Sequence, residues 1–311
     1  MKSDQRASDP GIRIVWWNTG LSPTRDPLRA DQRHFAAAAR VLRHLSEVGR
    51  ADVIVLGEMA EHSVKGLRDA CPEVRRGYTW LSAFQAAGRS RFSVCVLSRA
   101  GDLQVRFSGA IVLEDDRSVT RVGQLFSARC RAGHPPLHLI VSHWPSRLHM
   151  DRRDSDRTHI AAFLRRWIED ELLKIDAQAN IVLVGDYNDE PFDEGLERYL
   201  KASRDHAKVK QNPRLLYNPF WRHLSSSKHH HPDLQINDAG TYFHPGGKFS
   251  HWHTFDQLMV SSALLFGRAG WQLNEESTRV CTLPEVTVGD GADDSFFDHL
   301  PIVGHLERRA T

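Results

Sequence analysis

The stretch from residue 180 to residue 191 constrains the fold of this chain more than any other. It reads Asn-Ile-Val-Leu-Val-Gly-Asp-Tyr-Asn-Asp-Glu-Pro, an apolar run that ends at Gly185 and is followed by Asp186 and Asn188. If the backbone stays extended beyond Gly185, side chains two residues apart lie on the same face of the strand. The stretch therefore predicts a buried strand whose last polar groups point into one space, although Asp-x-Asn beside glycine and proline is also common in turns.

The same arrangement recurs along the chain. Apolar runs at 12–17, 53–57 and 137–142 each lead into a polar residue, whereas the runs at 257–260 and 300–303 each follow one. These polar residues are Asn18, Glu58 and His143 after the first three runs, and Asp256 and Asp298–His299 before the last two. Since antiparallel neighbours place opposite strand ends at one edge of a sheet, we expect these side chains to converge there.

Helices are predicted between the strands. One helical pattern follows the Asp-Pro at 26–27 and runs to about residue 48, and a second covers about 156–175. Shorter strands are predicted at 92–97, 103–112 and 121–130. This alternation of strands with intermittent helices indicates an α/β fold with mixed sheets.

The order of these motifs resembles the signature of the endonuclease/exonuclease/phosphatase superfamily, which includes deoxyribonuclease I and the apurinic endonucleases. The resemblance covers residues 12 to 306 and depends on the whole series, because each motif alone is common. It implies a four-layer sandwich of two packed mixed β-sheets flanked by helices. Two positions depart from the best-known branches: Gly20 stands where many nucleases have an acidic residue, and Phe297 replaces the serine of a common Ser-Asp-His ending.

The predicted chemistry is metal-assisted hydrolysis of a phosphodiester. Mg²⁺ prefers oxygen ligands and is typically held by one or two carboxylates, and Mn²⁺ is expected to substitute for it. Glu58 is the principal predicted ligand, and the resemblance adds Asn18 and Asp298. Such a cation would neutralise charge on the phosphoryl oxygens.

The predicted catalytic groups are His143, Asp186, Asn188, Asp256 and His299. Asp256 and His299 resemble a dyad in which the carboxylate fixes the imidazole. The resemblance leaves open whether Asp186 or His299 accepts the proton of the attacking water. It implies that Asn188 binds a phosphoryl oxygen and that His143 acts as an acid or as a hydrogen-bond donor to the transition state.

Arginines near these motifs are candidate phosphate ligands. Arg121 and Arg147 are predicted to bind substrate phosphate, because a guanidinium matches phosphate oxygens in bidentate fashion. A cross-strand ion pair is the alternative for Arg121. Arg147 opens a basic run that includes Arg157, and such runs are often solvated surface.

Residues 1–10 are polar and are expected to be disordered, without a secretory signal. Because the motifs span almost the whole chain, residues 11–309 are expected to form a single domain. Residues 198–254 are predicted to be an insertion near the active site. Eight Lys and Arg residues between 198 and 228, with interleaved aromatics, are typical of a nucleic-acid surface, or of a basic loop whose aromatics pack inward.

The favoured function is therefore an Mg²⁺-dependent nuclease acting on DNA or RNA. Within catalysis, the alternative is a phosphatase or phosphodiesterase for a small nucleotide or a lipid headgroup. From a different class, the alternative is an inactive binding module. Four scattered cysteines and the absence of a long apolar run favour a cytoplasmic protein without a membrane span, and a protein partner for targeting or regulation remains open.

Overall fold

Two β-sheets lie face to face, with helices packed on their outer surfaces. The elements come from a computed structural model that describes residues 11–23, 25–84, 93–101, 103–114, 119–130, 133–146, 154–225, 240–283 and 296–309. In chain order the strands are β1 (Gly11–Asn18), β2 (Val53–Met59), β3 (Tyr78–Ala83), β4 (Ser93–Arg99), β5 (Leu103–Glu114), β6 (Val119–Cys130), β7 (Leu137–His143), β8 (Asn180–Asp186), β9 (Ala202–Ser203), β10 (Leu216–Tyr217), β11 (Tyr242–Phe243), β12 (Trp252–His253), β13 (Asp256–Ser261), β14 (Trp271–Val280) and β15 (Ile302–Arg308). The α-helices are α1 (Gln32–Glu47), α2 (Glu61–Ala70), α3 (Pro72–Gly77), α4 (Asp154–Ile168), α5 (His206–Gln211) and α6 (Ser262–Phe266).

Both large sheets mix parallel and antiparallel pairs. The first has the strand order β14-β15-β1-β2-β4-β3, and the second has the order β5-β6-β7-β8-β13-β10-β9. β1 and β2 are parallel in the first sheet, as are β7 and β8 in the second. Strands β11 and β12 form a separate hairpin. The predicted α/β fold of two packed mixed sheets flanked by helices is confirmed.

Two apolar cores hold the layers together. Leu42 of α1 belongs to the core that also fills the space between the sheets, where Leu258 of β13 lies beneath Gly304 of β15. A Cβ added at Gly304 would lie 2.3 Å from Leu258 Cδ1, so any side chain there would require Leu258 to move within the core. The second core packs Leu164 of α4 against the outer face of the second sheet.

Several boundaries differ from those predicted. α1 begins at Gln32 rather than directly after Pro27, because the Asp31 carboxylate caps the helix by accepting the backbone N–H of Arg33 at 2.8 Å and of His34 at 2.9 Å. α4 continues as a π-helix over Glu169–Leu173. α2, α3, β3 and β14 were not predicted; β14 is an edge strand whose polar sequence lacks regular alternation.

Much of the predicted insertion at 198–254 is part of the framework. β9 and β10 extend the second sheet beyond β13, and the 3₁₀ helix Pro219–His223 follows them. The predicted disorder of residues 1–10 and the centre of the insertion, 226–239, lie outside the described residues. Among the helices that the model describes, none is long and apolar enough to span a membrane.

Candidate active site

Strand alternation carries Asp186 and Asp256 into the space between the sheets. Along β8, Val184 packs in the inter-sheet core, whereas Leu183 packs towards α4. Asp186 has the same parity as Val184, and it pairs in antiparallel register with Asp256 at the start of β13. The two carboxylates therefore lie side by side at one end of the second sheet, as the sequence predicted.

Gly185 allows this strand end to form. Its φ is +156°, and a Cβ at this position would lie 1.8 Å from the carbonyl oxygen of Ser142 on the parallel strand β7. Any side chain would force the two strands apart. Their register also places His143 opposite Asp186.

Asp256 and His299 form a buried hydrogen-bonded dyad. The distance from His299 Nδ1 to Asp256 Oδ2 is 2.7 Å. The other carboxylate oxygen, Oδ1, accepts a hydrogen bond from Trp16 Nε1 of β1 at 2.6 Å, and the Asp256 backbone N–H donates to Thr241 Oγ1. Burial alone would lower the pKa of His299, but the charge and hydrogen bond of Asp256 outweigh it and raise the pKa. The imidazole is thus held in its charged form.

Asp186 lies between two imidazoles. Its Oδ2 is 3.6 Å from His143 Nε2 and 3.9 Å from His299 Nε2. The same oxygen accepts a hydrogen bond from Asn18 Nδ2 at 3.2 Å. Burial and the neighbouring Asp256 raise the pKa of Asp186. Atoms from both sheets therefore meet at a single carboxylate oxygen.

Glu58 joins this group from the end of β2. Its Oε1 lies 3.5 Å from Asn18 Nδ2, and its backbone has a φ of +52°, which is uncommon for a residue with a side chain. Burial raises the pKa of Glu58 to about 7, with a further contribution from the charge of Asp298. Two of the predicted metal ligands, Asn18 and Glu58, are therefore in contact, and the third, Asp298, is near enough for its charge to raise the pKa of Glu58.

His143 and Arg121 lie on the neighbouring strands. Burial, followed by the positive charges of His299 and Arg121, lowers the pKa of His143 to about 3. His143 is therefore a neutral imidazole suited to hydrogen bonding rather than a store of protons. Arg121 is 7% exposed, and its burial lowers its pKa to about 10. Arg147 lies outside the described residues.

The expectation that the backbone stays extended through Asn188 is wrong. β8 ends at Asp186, and Asn188 has a φ of +50°. Its backbone N–H donates to Asp186 Oδ1 at 2.9 Å, the hydrogen bond of an Asx turn, and its Nδ2 donates to the Trp144 carbonyl oxygen at 2.9 Å. Asn188 thus fixes the Asp186 carboxylate through the turn and also ties the β8 loop to the β7 loop.

Arg157 is buried and is not part of a solvated basic face. Its Nε donates to Asp189 Oδ1 at 2.8 Å, its Nη1 to the Pro145 carbonyl oxygen at 2.8 Å and its Nη2 to the Tyr187 carbonyl oxygen at 2.7 Å. Pro145 follows β7 and Tyr187 follows β8. One guanidinium therefore joins the two loops that carry His143 and Asp186.

Three residues of the site were missed from the sequence: Trp16, Thr241 and Tyr242. The Tyr242 ring centroid lies 4.5 Å from that of His299, and burial and the nearby carboxylates, Asp298 first among them, raise the pKa of Tyr242 to about 12. A signal existed for Trp16, because it precedes Asn18 by two residues and so shares its strand face. A buried indole N–H on that face needs an acceptor.

Two of the four aromatic residues considered in the segment 198–254 pack inward, as expected for a basic loop with buried aromatics. Tyr217 and Phe220 are buried, whereas Tyr199 and Trp221 remain partly accessible. The Lys and Arg residues of the described part of the segment are all exposed: Arg198, Lys201, Arg204, Lys208, Lys210, Arg214, Arg222 and Lys248. The described part of the segment is therefore rich in exposed cations.

Comparison with solved structures agrees with this architecture. The human Nocturnin catalytic domain, solved with a bound sulfate anion, is 15% identical, with 96% of this chain and 95% of that chain covered and a TM-score of 0.59. Truncated TDP2 from Caenorhabditis elegans is 13% identical, with 96% and 98% covered and a TM-score of 0.57. An endonuclease/exonuclease/phosphatase family protein from Bacteroides thetaiotaomicron is 15% identical, with 95% and 97% covered and a TM-score of 0.59.

A search of curated protein sequences finds no match. The model of the Endonuclease/Exonuclease/phosphatase family matches residues 28–292. Members of this superfamily are phosphodiesterases and nucleases that generally depend on a divalent metal. Because the match covers most of the sequence and the polar strand ends converge in one cleft, the chain belongs to the endonuclease/exonuclease/phosphatase family.

Proposed function

We propose that this protein is an Mg²⁺-dependent phosphodiester hydrolase, specifically a nuclease. The observation that carries the proposal is the convergence on Asp186 Oδ2 of Asn18 from the first sheet and of His143 and His299 on either side. The Asp186 carboxylate as acceptor, the charged His299 imidazole as one donor and the neutral His143 imidazole as another then surround one small volume. Phosphodiester hydrolysis needs these groups to orient water and to stabilise phosphoryl charge.

The donor set fits a hard divalent cation. Among the described residues, one atom each of Asp186, Asp256 and His299 lies within 4.8 Å of the others, a grouping that could hold a metal. Both oxygens of Asp256, however, already accept hydrogen bonds, and His299 Nδ1 is engaged with it. Carboxylate and amide oxygens that Mg²⁺ prefers are offered instead by Glu58, Asp298 and Asn18.

Glu58 also shows why a cation belongs there. Its pKa is raised to about 7 by desolvation of a partly buried carboxylate and by the charge of Asp298, and a cation would relieve both effects. Glu58, Asn18 and Asp298 would hold Mg²⁺, with Mn²⁺ as a substitute. When bound, the ion supplies charge neutralisation for the phosphoryl oxygens.

The remaining groups divide the proton chemistry. His299 is kept charged by Asp256 and is placed to donate from Nε2 to a phosphoryl oxygen. Asp186 Oδ2 faces the same space and is the acceptor for the proton of the attacking water. His143, which is neutral, donates a hydrogen bond to the transition state, with Arg121 behind it. We further propose that Arg121 and Arg147 contact the substrate phosphate.

A polymeric substrate is supported by the exposed cations of the segment 198–225. Three of its cations are paired, Arg198 with Glu194, Lys201 with Glu169 and Arg222 with Glu275. The others include Lys208 and Lys210 on α5, where Asp205 is the N-cap. Sulfate is an oxyanion of the same shape as phosphate, and its presence in the Nocturnin structure is consistent with an anion site in this fold.

The test is cleavage of supercoiled plasmid, linear duplex, single-stranded DNA and RNA in the presence of Mg²⁺, Mn²⁺ or a chelator. We expect metal-dependent cleavage of at least one polymer and none with the chelator. The Asp186→Asn variant, purified in parallel, controls for contaminating nuclease. Release of inorganic phosphate from mononucleotides while every polymer stays intact would contradict the nuclease proposal and indicate a phosphatase for small substrates. Inactivity towards every phosphoester would indicate a binding module without catalytic activity.

A further inference from the structure

We propose that an aromatic rim beside the catalytic cleft binds the unstacked bases of a single-stranded nucleic acid. The rim consists of an inner cluster, Tyr242, His253 and Phe255, and an outer cluster, Phe192, Trp221 and Arg204. This inference rests on the proposed nuclease function and specifies its substrate class.

The inner cluster begins at the dyad. The Tyr242 ring packs on His299 with centroids 4.5 Å apart. It stacks on Phe255 at 5.5 Å with an interplanar angle of 18°, and His253 stacks on Phe255 at 4.8 Å with an angle of 19°. Phe255 is buried, whereas Tyr242 and His253 are partly exposed. Phe255 thus supports two accessible rings that lead away from the catalytic imidazole.

The outer cluster offers two further flat surfaces. The Phe192 and Trp221 ring centroids lie 6.3 Å apart, and the Arg204 guanidinium carbon lies 4.5 Å from the Trp221 centroid. Phe192 is 52% exposed, which is unusual for so large an apolar side chain. Nucleobases stack on aromatic rings and on arginine planes alike.

Hydrogen bonds connect the two clusters through one framework. Glu190, two residues before Phe192, has its Oε1 3.0 Å from His253 Nδ1 and accepts the Thr254 backbone N–H through Oε2 at 3.0 Å. The His223 carbonyl oxygen, at the end of the 3₁₀ helix that carries Trp221, accepts the Thr254 hydroxyl and the Gly240 backbone N–H. The hairpin, the β8 loop and the 3₁₀ helix are therefore fixed to one another.

Charge and geometry together favour a single strand. The Arg204 guanidinium lies against the Trp221 ring, so a cation is available to the phosphate backbone where the rings take the bases. In a duplex the bases are already stacked on each other and are unavailable to protein rings. A small phosphate ester would leave Phe192 and Arg204 without any role.

Kinetics on substrates of graded length test this inference. Oligothymidylates from a dinucleotide upward would be cleaved in Mg²⁺ by the wild type, Phe192→Ala and Arg204→Gln, and each variant's rates would be normalised to its cleavage of bis(p-nitrophenyl) phosphate. We expect KM to fall with length for the wild type. We expect each variant to lose about tenfold in normalised kcat/KM on long strands, which corresponds to about 1.4 kcal/mol and is within the range for one stacked base.

Both substituted side chains are exposed, so folding is not at risk, and thermal melting verifies it. Ile175→Ala is the matched control, because Ile175 is 82% exposed and lies before the opposite end of β8. A wild-type length dependence in both rim variants, or a preference for blunt duplex over single strands, would overturn the inference. Lack of cleavage of bis(p-nitrophenyl) phosphate and of every oligomer by the wild type would instead contradict the proposed function itself.

Discussion

Trp16 Nε1 donates a hydrogen bond to Asp256 Oδ1 across the gap between the two sheets, at 2.6 Å. Trp16 is fully buried, and Asp256 holds His299 through its other oxygen. The orientation of the His299 imidazole, the proposed catalytic donor, therefore depends on an indole in the opposite layer. This contact gives the first prediction.

Replacing Trp16 with Phe keeps an aromatic ring but removes the N–H. We expect the free energy of unfolding to fall by about 2 kcal/mol, because the buried Asp256 carboxylate loses a hydrogen-bond donor. We also expect kcat to fall at least tenfold, because the Asp256 carboxylate that orients His299 is no longer held in place by the indole. Urea denaturation and steady-state kinetics measure the two effects. Trp271→Phe is the control, because its indole donates to the neutral Pro135 carbonyl oxygen far from the dyad; equal kcat losses in both variants would rule out a specific role for Trp16.

The catalytic assignment predicts large losses from two single substitutions. His299→Ala removes the charged donor, and Asp186→Asn removes the proton acceptor while keeping its shape. Each should lower kcat by roughly 10³-fold, about 4 kcal/mol of transition-state stabilisation. Wild-type turnover in either purified, folded variant would refute the assignment.

Glu58→Gln tests the metal site without depending on activity. The substitution removes a partly buried carboxylate whose pKa is raised by desolvation and by the charge of Asp298, so the metal-free variant should melt at a higher temperature than the metal-free wild type. Added Mg²⁺ or Mn²⁺ should raise the melting temperature of the wild type, because a ligand that binds only the folded state stabilises it. In the variant this rise should be largely lost. An undiminished rise in Glu58→Gln would place the cation elsewhere.

Arg157→Met tests the buried guanidinium that joins the loops after β7 and β8. The substitution leaves the Asp189 carboxylate buried without its cation, and we expect a loss of about 3 to 5 kcal/mol in unfolding free energy. The matched control is Arg166→Met, whose partner Asp170 lies 3.6 Å away on the surface of α4 and its π-helical extension. An exposed pair of this kind contributes at most about 1 kcal/mol. Urea denaturation of both variants under the same conditions makes the comparison, and equal losses would contradict this role of Arg157.

Stability should fall at acidic pH because of His223. Burial, together with Arg222, lowers the pKa of this imidazole to about 4, whereas its value in the unfolded chain is near 6.5. The unfolded state therefore binds the proton more readily. The stabilising contribution of neutral His223 is present above about pH 6.5 and is lost as pH falls towards 4, by up to about 3 kcal/mol.

The measurement is urea denaturation between pH 7 and pH 4.5 for the wild type and His223→Gln. The variant should lose less stability than the wild type over this interval, because it has one fewer buried imidazole to protonate. Identical pH profiles would show that His223 does not titrate with folding. His223 lies at the end of a 3₁₀ helix, away from the proposed metal ligands.

The strand ends could be predicted because their signal is local. Asp186, Asp256 and His299 each adjoin an apolar run, and alternation along β8 indicates which way Asp186 faces. The contact between Trp16 and Asp256 joins residues 240 positions apart, and no local pattern encodes such a distance.

The turn after β8 could not be predicted from the sequence either. An extended and a turned backbone are both compatible with Asp-Tyr-Asn-Asp. The turn is stabilised because the Asp186 carboxylate accepts the Asn188 backbone N–H and the Trp144 carbonyl oxygen accepts a hydrogen bond from the Asn188 side-chain amide. The burial of Arg157 likewise depends on tertiary contacts, since a basic run in a sequence normally indicates solvent exposure.

The position of Asp256 between two layers also bears on how activity arises during folding. Neither sheet alone contains every group that holds the dyad, because the first sheet supplies the Trp16 indole and the second supplies the Asp256 carboxylate. Intermediates with only one sheet formed are therefore expected to be catalytically silent. A cell that makes this hydrolase would be exposed to its activity only after the two halves of the sandwich have docked.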